Sequence, residues 1–425
     1  MTANAVQWLN KGLIGEPALM LGLIALIGLL LQKQPLQKLL SGTIKTMLGV
    51  KLVQIGANET GASLSNMSAV IQNGFQIIGI IPHSETTTAM TQINFGEEMA
   101  LIMLIGMIVH LAIARFTPAK YIFMAGHHML FMSALLAALL MSSNFSTLQT
   151  MLIGGTVLAV CMSSAPLIAQ PYARKVIGNN SFGLGHFNSL GYLLSGLIAS
   201  LFKPGERQQK EVKKNKLIVL FQDHMVVIFI FTFVLFMIAS LFVPKGSIEN
   251  MFAGQHFIIV SLIQATWFAA GCYIVLAGVR MMLAEIVPAF KGIADRIVPG
   301  AIPALDCPVL FSYAPLAAVT GFLLSFIGGL LAMAMMMQLQ YTVIIPGVIP
   351  NFFSGGAAGV IAYKIGGRKG LVVASIIHGF VLTLLPVFLV PLLSNIGYLR
   401  TTFADIDYSA VGIIVNAVLD WLQHF

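Results

Sequence analysis

Apolar runs long enough to cross a bilayer recur along the chain, separated by short polar breaks. The clearest are Gly15 to Leu31, Met99 to Phe116, Tyr121 to Met141, Met151 to Leu167, Leu217 to Val243, Phe257 to Met281, Ser312 to Met337 and Tyr341 to Tyr363. A glycine-rich segment from Phe182 to Leu201 and two last spans at 371–393 and 409–422 complete the set. A hydrocarbon layer about 30 Å thick is crossed by about 20 apolar residues in a helix. A membrane β-barrel would instead need alternating segments of about ten residues, which continuous runs such as Val226 to Val243 exclude. The pattern predicts an all-α polytopic membrane protein. The first run lacks a basic leader and a small-residue cleavage site, so it is read as a membrane helix and not as a signal peptide.

Three stretches break the pattern. LQKQPLQKLLSGTIKTMLGVKLVQIG begins amphipathic and then enters the apolar phase with Lys45 and Lys51 attached. SLSNMSAVIQNGFQIIGIIPHSETTTAMTQINFGEE is too polar to face lipid, and is expected to pack inside or turn back. From Val279 to Ala314, six charged residues (Arg280, Glu285, Lys291, Asp295, Arg296, Asp306) fall within 27 positions, among Pro288, Pro299, Pro303 and Pro308. Those prolines predict a broken segment. An ionisable group at membrane depth usually lines a cavity, so Asp306 is marked as half of a solute site, and the other five charges as a structural or interfacial ion-pair group.

Composition agrees: 58% of residues are hydrophobic and 9% charged, against about 25% charged in soluble domains. The net charge of +8 does not mark a nucleic-acid binder, because the basic residues are scattered over loops. They gather at Lys33 and Lys38, in the 203–216 loop KPGERQQKEVKKNK, and at Lys364, Arg368 and Lys369. Cytoplasmic placement of these clusters puts the N-terminus outside and the C-terminus inside, with an odd number of crossings, about eleven. The 425 residues read as one integral membrane domain with halves at 1–202 and 217–425. An inverted repeat is expected, matching Gly42 with Gly292 and Gly126 with Gly347. Cys161, Cys272 and Cys307 are expected to be buried free thiols.

The candidate chemistry lies in polar residues on apolar segments. HSETTTAM (His83, Ser84, Glu85, Thr86, Thr87, Thr88) offers hydroxyls and a carboxylate at a helix break, for a polyhydroxylated ligand or simply for capping. AGHHM carries His127 and His128, which point about 100° apart on a helix, so at most one should face a site squarely. GLGHFNS carries His186 and Asn188 among glycines. No cofactor or metal is expected, since the spacings suit none and HExxH is absent, and neither a GxxxxGK[ST] loop nor a GxSxG elbow occurs.

Several blocks together resemble one family: GTIKTMLG (42–49), GHHM (126–129), FGLGH (182–186), GVRMMLAEIVPAFKGIADRIVPGAIPALDCPVLFSYAP (278–315) and IIPGVIPNFFSGGAAGV (344–360). They are similar to the ascorbate-type IIC membrane components of the bacterial phosphoenolpyruvate-dependent sugar phosphotransferase system. The resemblance implies a homodimer in the inner membrane, about eleven helices per protomer, and a core domain moving elevator-fashion against a V-shaped dimerisation domain. It implies inward carriage of L-ascorbate or a related sugar acid or polyol, phosphorylated by a cytosolic IIB partner that receives its phosphate from IIA. The phosphoryl-donor cysteine then lies on IIB, not on this chain. Family ligand contacts map onto Thr86, Thr87, His127, His128, Phe131, His186, Phe187 and Asp306. Thr87, Phe131 and Phe187 stand where the family has other polar or tyrosine side chains, which puts substrate selectivity in question. The competing reading is an ion-gradient-driven secondary transporter using Asp306, Glu85 and Glu97.

Overall fold

The computed structural model describes residues 16–75, 79–82, 84–143, 145–202, 224–244, 246–296, 298–398 and 401–423. The basic loop 203–216 and the start of the span expected from Leu217 lie outside them. In chain order the helices are α1 (Pro17–Leu31), α2 (Leu36–Phe75), α3 (Ser84–Phe116), α4 (Gly126–Ser142), α5 (Thr147–Ile177), α6 (Ser189–Ser200) and α7 (His224–Leu241). There follow α8 (Ser247–Met251), α9 (Phe257–Arg296), α10 (Pro315–Gln338), α11 (Gly356–Leu384), α12 (Pro386–Asn395) and α13 (Ile406–Gln423). Five stretches among the described residues are long and apolar enough to cross a membrane: Asn94–Phe116, Thr147–Ile177, Phe257–Met282, Pro315–Gln338 and Asn351–Asn395.

Local rules account for the ends. α5 starts at a capping box, where Ser146 accepts from Gln149 N and the Gln149 side chain accepts from Ser146 N, and it stops at Gly178 in the left-handed region (φ 83°). α2 and α9, each of 40 residues, pack against one another. Glycine permits their backbones to touch: a Cβ at Gly278 would lie 2.6 Å from the Gly49 carbonyl oxygen, and one at Gly56 would lie 2.5 Å from that of Gly271. Gly278→Val is therefore expected to destabilise the fold by more than about 1–3 kcal/mol. The check is the melting temperature in detergent; an unchanged value would show that this approach is not needed.

Short strands were not foreseen. β1 (Tyr121–Phe123), β2 (Gly183–Leu184) and β3 (Ile302–Leu305) form a parallel sheet in the order β1-β3-β2. A further parallel bridge joins Ile80 to Ile344, with Ile80 N donating to Val343 O and Ile345 N to Ile80 O, both at 2.9 Å. The expected spans Tyr121 to Met141 and Phe182 to Leu201 thus open as strands and become helical only at Gly126 and Ser189. Non-helical backbone inside a membrane protein must find partners within the protein, and pairing the breaks with one another supplies them.

Two other expectations change. α9 runs through Pro288 to Arg296, so the break falls after Arg296 and not across the whole of 279–314. Gln32 Nε2 donates to the carbonyls of Pro288 (2.9 Å) and Ala289 (3.2 Å), beside the proline that lacks its own N–H. The spans expected at 341–363 and 371–393 are joined by one helix, α11, entered through a π-helical turn (Asn351–Gly355) and kinked at Gly367 (φ 63°), and the second continues into α12. Glu285 pairs with α2, at 3.0 Å from Lys38 Nζ and 3.4 Å from Lys45 Nζ, and not with its neighbours in sequence. Burial opposes ionisation of Glu285, but the two lysines prevail and hold its carboxyl below the usual range. Arg280 and Arg296 are exposed, and the side chains of Lys291 and Asp295 lie outside the described set.

Candidate functional site

The breaks deliver their polar residues to one cavity of about 540 Å³, walled by His127, His128, Phe131, His186, Asp306 and Asp405 among others. Each arrives from an element end. His127 and His128 occupy the first turn of α4, after β1. His186 follows β2, and Asp306 follows β3 and caps a 3-10 turn (Cys307–Tyr313). Asp405 precedes α13 in the left-handed region (φ 59°), which aspartate tolerates better than most residues. α3, α4 and α13 all begin at the cavity, represented in its wall by Ser84, Gly126 and Asp405. The first N–H groups of α13 are taken by Asn188 Oδ1 and Phe187 O, so it is the positive dipole ends of these helices that favour an anionic or strongly hydrogen-bonding solute.

Asp306 is the hub. Its Oδ1 accepts from Cys307 N at 2.7 Å and lies 2.7 Å from His186 Nδ1. His127 Nε2 stands 3.4 Å from Oδ2, and His128 Nε2 stands 3.7 Å from Oδ1. The expectation that only one of the two adjacent histidines could face the site is overturned. At the first turn of the helix both rings reach the same carboxylate, with centroids 4.3 Å apart. The far side of His186 meets Ser354 Oγ at 3.0 Å and Asp405 Oδ1 at 3.7 Å, and Ser354 Oγ donates to Asp405.

The other marked residues lie elsewhere. Phe131 walls the cavity and sets its edge toward His127. Phe187 is buried one layer back, stacked on Phe123 with centroids 4.8 Å apart. Thr87 is also buried behind the cavity, its Oγ1 2.6 Å from that of Thr401. His83 and the side chains of Glu85 and Thr86 fall outside the described residues. Ser84 is used in a tertiary bond, accepting from Ala404 N at 3.0 Å. Asn188 serves packing: its amide nitrogen meets His378 Nε2 at 2.8 Å and its oxygen accepts from Ile406 N at 3.3 Å. The cysteines are free, with Cys272 and Cys307 buried but Cys161 only partly so.

Sequence reading passed over Asp405, Asp407, Tyr408 and Ser354. The signal was available in TTFADIDYS, where two of only 15 acidic residues stand two positions apart beside an apolar span. Asp407 is buried and anchors α6: its carboxylate accepts from Ser189 N (2.8 Å), Ser189 Oγ (2.7 Å) and Leu190 N (3.0 Å). Asp407→Ala removes a helix cap supplied across the fold and leaves three donors unpaired. A loss of about 2 kcal/mol or more is expected, read as a lower melting temperature. An unchanged melt would remove Asp407 from that role.

Comparison with known proteins comes out in the same direction. The family model described as EIIC-GAT, PTS system sugar-specific permease component, matches residues 12–407. The chain is also 26% identical over 447 residues to a protein of Mycoplasma pneumoniae (strain ATCC 29342 / M129 / Subtype 1) named "Ascorbate-specific PTS system EIIC component", covering 93% of this chain and 68% of that relative.

Proposed function

Since the chain belongs to the family of sugar-specific permease components of the phosphotransferase system, we propose that it binds L-ascorbate, or a closely related sugar acid, in the cavity at Asp306 and passes it inward as a cytosolic IIB partner phosphorylates it. The observation that carries this reading is the carboxylate of Asp306 held among His127, His128 and His186 in a cavity of about 540 Å³. Acceptor and donor side chains together suit a ring with several hydroxyls, and the converging helix N-termini suit its negative charge. The ascorbate-specific name of the relative supports the same substrate.

Donor bookkeeping assigns the roles. Ser354 gives its one hydroxyl proton to Asp405, so it accepts from His186 Nε2–H, while Asp306 accepts from His186 Nδ1–H. The ring carrying both protons is a donor, not a base. Asp306 Oδ2, turned toward His127, is then the group that takes the proton of the sugar hydroxyl attacking phosphorus. Positioned bases of this kind contribute typically about 10²–10⁴-fold. Phosphorus arrives on the cysteine of IIB, itself charged by IIA; the new ester bond forms to the sugar oxygen as the bond to the cysteine sulfur breaks. The product, which adds the charge of a phosphate ester to that of the ring, no longer suits a site that already contains Asp306 and Asp405.

The two halves enter this account as an inverted repeat. From Leu36 to Phe257 the chain shifts by 221 residues, and from Gly126 to Val348 by 222, between corresponding element starts. Under that shift Ile80 corresponds to Ile302, and Ile122 to Ile344. Ile80 bridges Ile344 and Ile122 pairs with Pro303, so each half completes the other's break. The shift keeps the match of Gly126 with Gly347 but not that of Gly42 with Gly292. About eleven crossings, cytoplasmic basic loops, a homodimer built on a V-shaped domain and elevator movement of the core belong to the same proposal.

The test is uptake by vesicles holding the purified protein together with the cytosolic phosphotransferase proteins. Ascorbate phosphate inside, insensitive to an uncoupler, is the expected result. Accumulation of free sugar that collapses with the uncoupler would establish the ion-gradient reading instead.

A further inference from the structure

We propose that His127, His128 and Asp306 form a binding site for a first-row divalent transition-metal ion of the zinc class, which excludes the sugar from the cavity. One ligand atom from each of the three lies within 4.8 Å of the others. Zinc binds imidazole nitrogen and carboxylate oxygen at about 2.0–2.2 Å, so tetrahedral ligands stand about 3.3–3.5 Å apart. His127 Nε2 and Asp306 Oδ2 are 3.4 Å apart, and His128 Nε2 and Asp306 Oδ1 are 3.7 Å apart. An ion between them would draw ligand atoms that lie within 4.8 Å of one another to about 3.3–3.5 Å.

Two observations point to a ligand independently of this spacing. His128 is 3% exposed, walls the cavity, and its Nε2 has no hydrogen-bond partner. A buried ring nitrogen without a partner is costly, and an ion or a ligand donor relieves it. The second is an outer partner on the same ring: His128 Nδ1 lies 2.5 Å from Tyr408 OH, and in the tautomer that donates Nδ1–H to that hydroxyl, Nε2 faces the cavity as a lone-pair donor. Asp306 is oriented in turn by His186 Nδ1 and Cys307 N, which bind Oδ1 and leave Oδ2 to the ion. Outer partners of this kind hold ligand geometry in metal sites. Three protein ligands leave a fourth position open to the cavity, and two nitrogens in the set disfavour magnesium and calcium.

Occupancy by an ion takes the carboxylate and both imidazoles from the sugar. Only this last consequence rests on the proposed function; the site itself does not. The test is titration of the detergent-purified protein with Co²⁺ followed by visible absorption, then displacement by Zn²⁺. One ion per chain with the intense bands of four-coordinate cobalt is expected. Affinity should fall by more than about 100-fold in His127→Ala and by about 10- to 100-fold in Tyr408→Phe, which keeps the ring and loses its hydroxyl. Melting of each variant in chelator verifies its fold. Equal cobalt affinity in wild type and His127→Ala overturns the proposal. So does a sulfur-to-cobalt charge-transfer band that vanishes in Cys307→Ser, because the ion would then sit at His186, Asp306 and Cys307. Ascorbate binding measured in chelator reports on the sugar site separately: if it persists there and cobalt does not bind, only the metal inference fails.

Discussion

Asp306→Asn is expected to weaken sugar binding at least about 100-fold while the protein stays folded. The carboxylate is the shared acceptor of His186 and the Cys307 amide, with His127 3.4 Å away across the cavity. Asparagine matches it in size, so packing persists, but it offers one acceptor oxygen and no charge. Hydrogen bonds to a charged group contribute about 1.5–3 kcal/mol each, and losing two from a bound sugar reaches that factor. Any residual phosphorylation should drop further, by the share of a general base, typically about 10²–10⁴-fold. Titration calorimetry with L-ascorbate, beside a melting curve in the same detergent, makes the measurement. Affinity within threefold of wild type would take Asp306 out of the site.

His186→Ala has the second large effect, of a different kind. His186 is 4% exposed and links Asp306 to Ser354 and Asp405, so its loss leaves the buried carboxylate of Asp405 and the half-buried one of Asp306 without the donor between them. Breaking a buried ionic contact by removing one partner costs about 3–5 kcal/mol. Both stability and binding should fall, and His186→Gln, which retains one donor, should recover part of the stability but little of the turnover. His127→Ala provides the contrast: its side chain is 43% exposed and its contact with Asp306 is the longer one, so the melt should hardly move while affinity drops. A His186→Ala protein that melts and binds like wild type would contradict this arrangement.

Much of the site could be read in the sequence because a charge or histidine in an apolar chain is conspicuous. Asp306, His127 and His186 were marked on that ground alone, and the structure brings all three to one cavity. Thr87 stands out as one of the hydroxyls of HSETTTAM and Phe187 only through family resemblance, and both lie one layer behind it. The strands escaped notice because two to four residues carry no usable period, and their partners lie more than 100 positions away in sequence. The helix through Pro288 escaped because a proline removes one backbone hydrogen bond, and the packing of α9 against α2 that carries the helix past it is not visible locally. Asp405 and Ser354 escaped for the same reason. Ser354 is not unusual locally, whereas the acidic pair of Asp405 and Asp407 is; the roles of 354 and 405 exist only once His186 stands between them.

Titration of the purified wild-type protein with L-ascorbate, a neutral pentitol and a neutral hexitol, each repeated on Asp306→Asn, tests the central claim most directly. The account predicts saturable binding of ascorbate, at least about tenfold tighter than either polyol, since a cavity ringed by helix N-termini favours the anion, and no measurable binding in the variant. Equal affinity for a neutral polyol, or ascorbate binding that survives in Asp306→Asn, would contradict it.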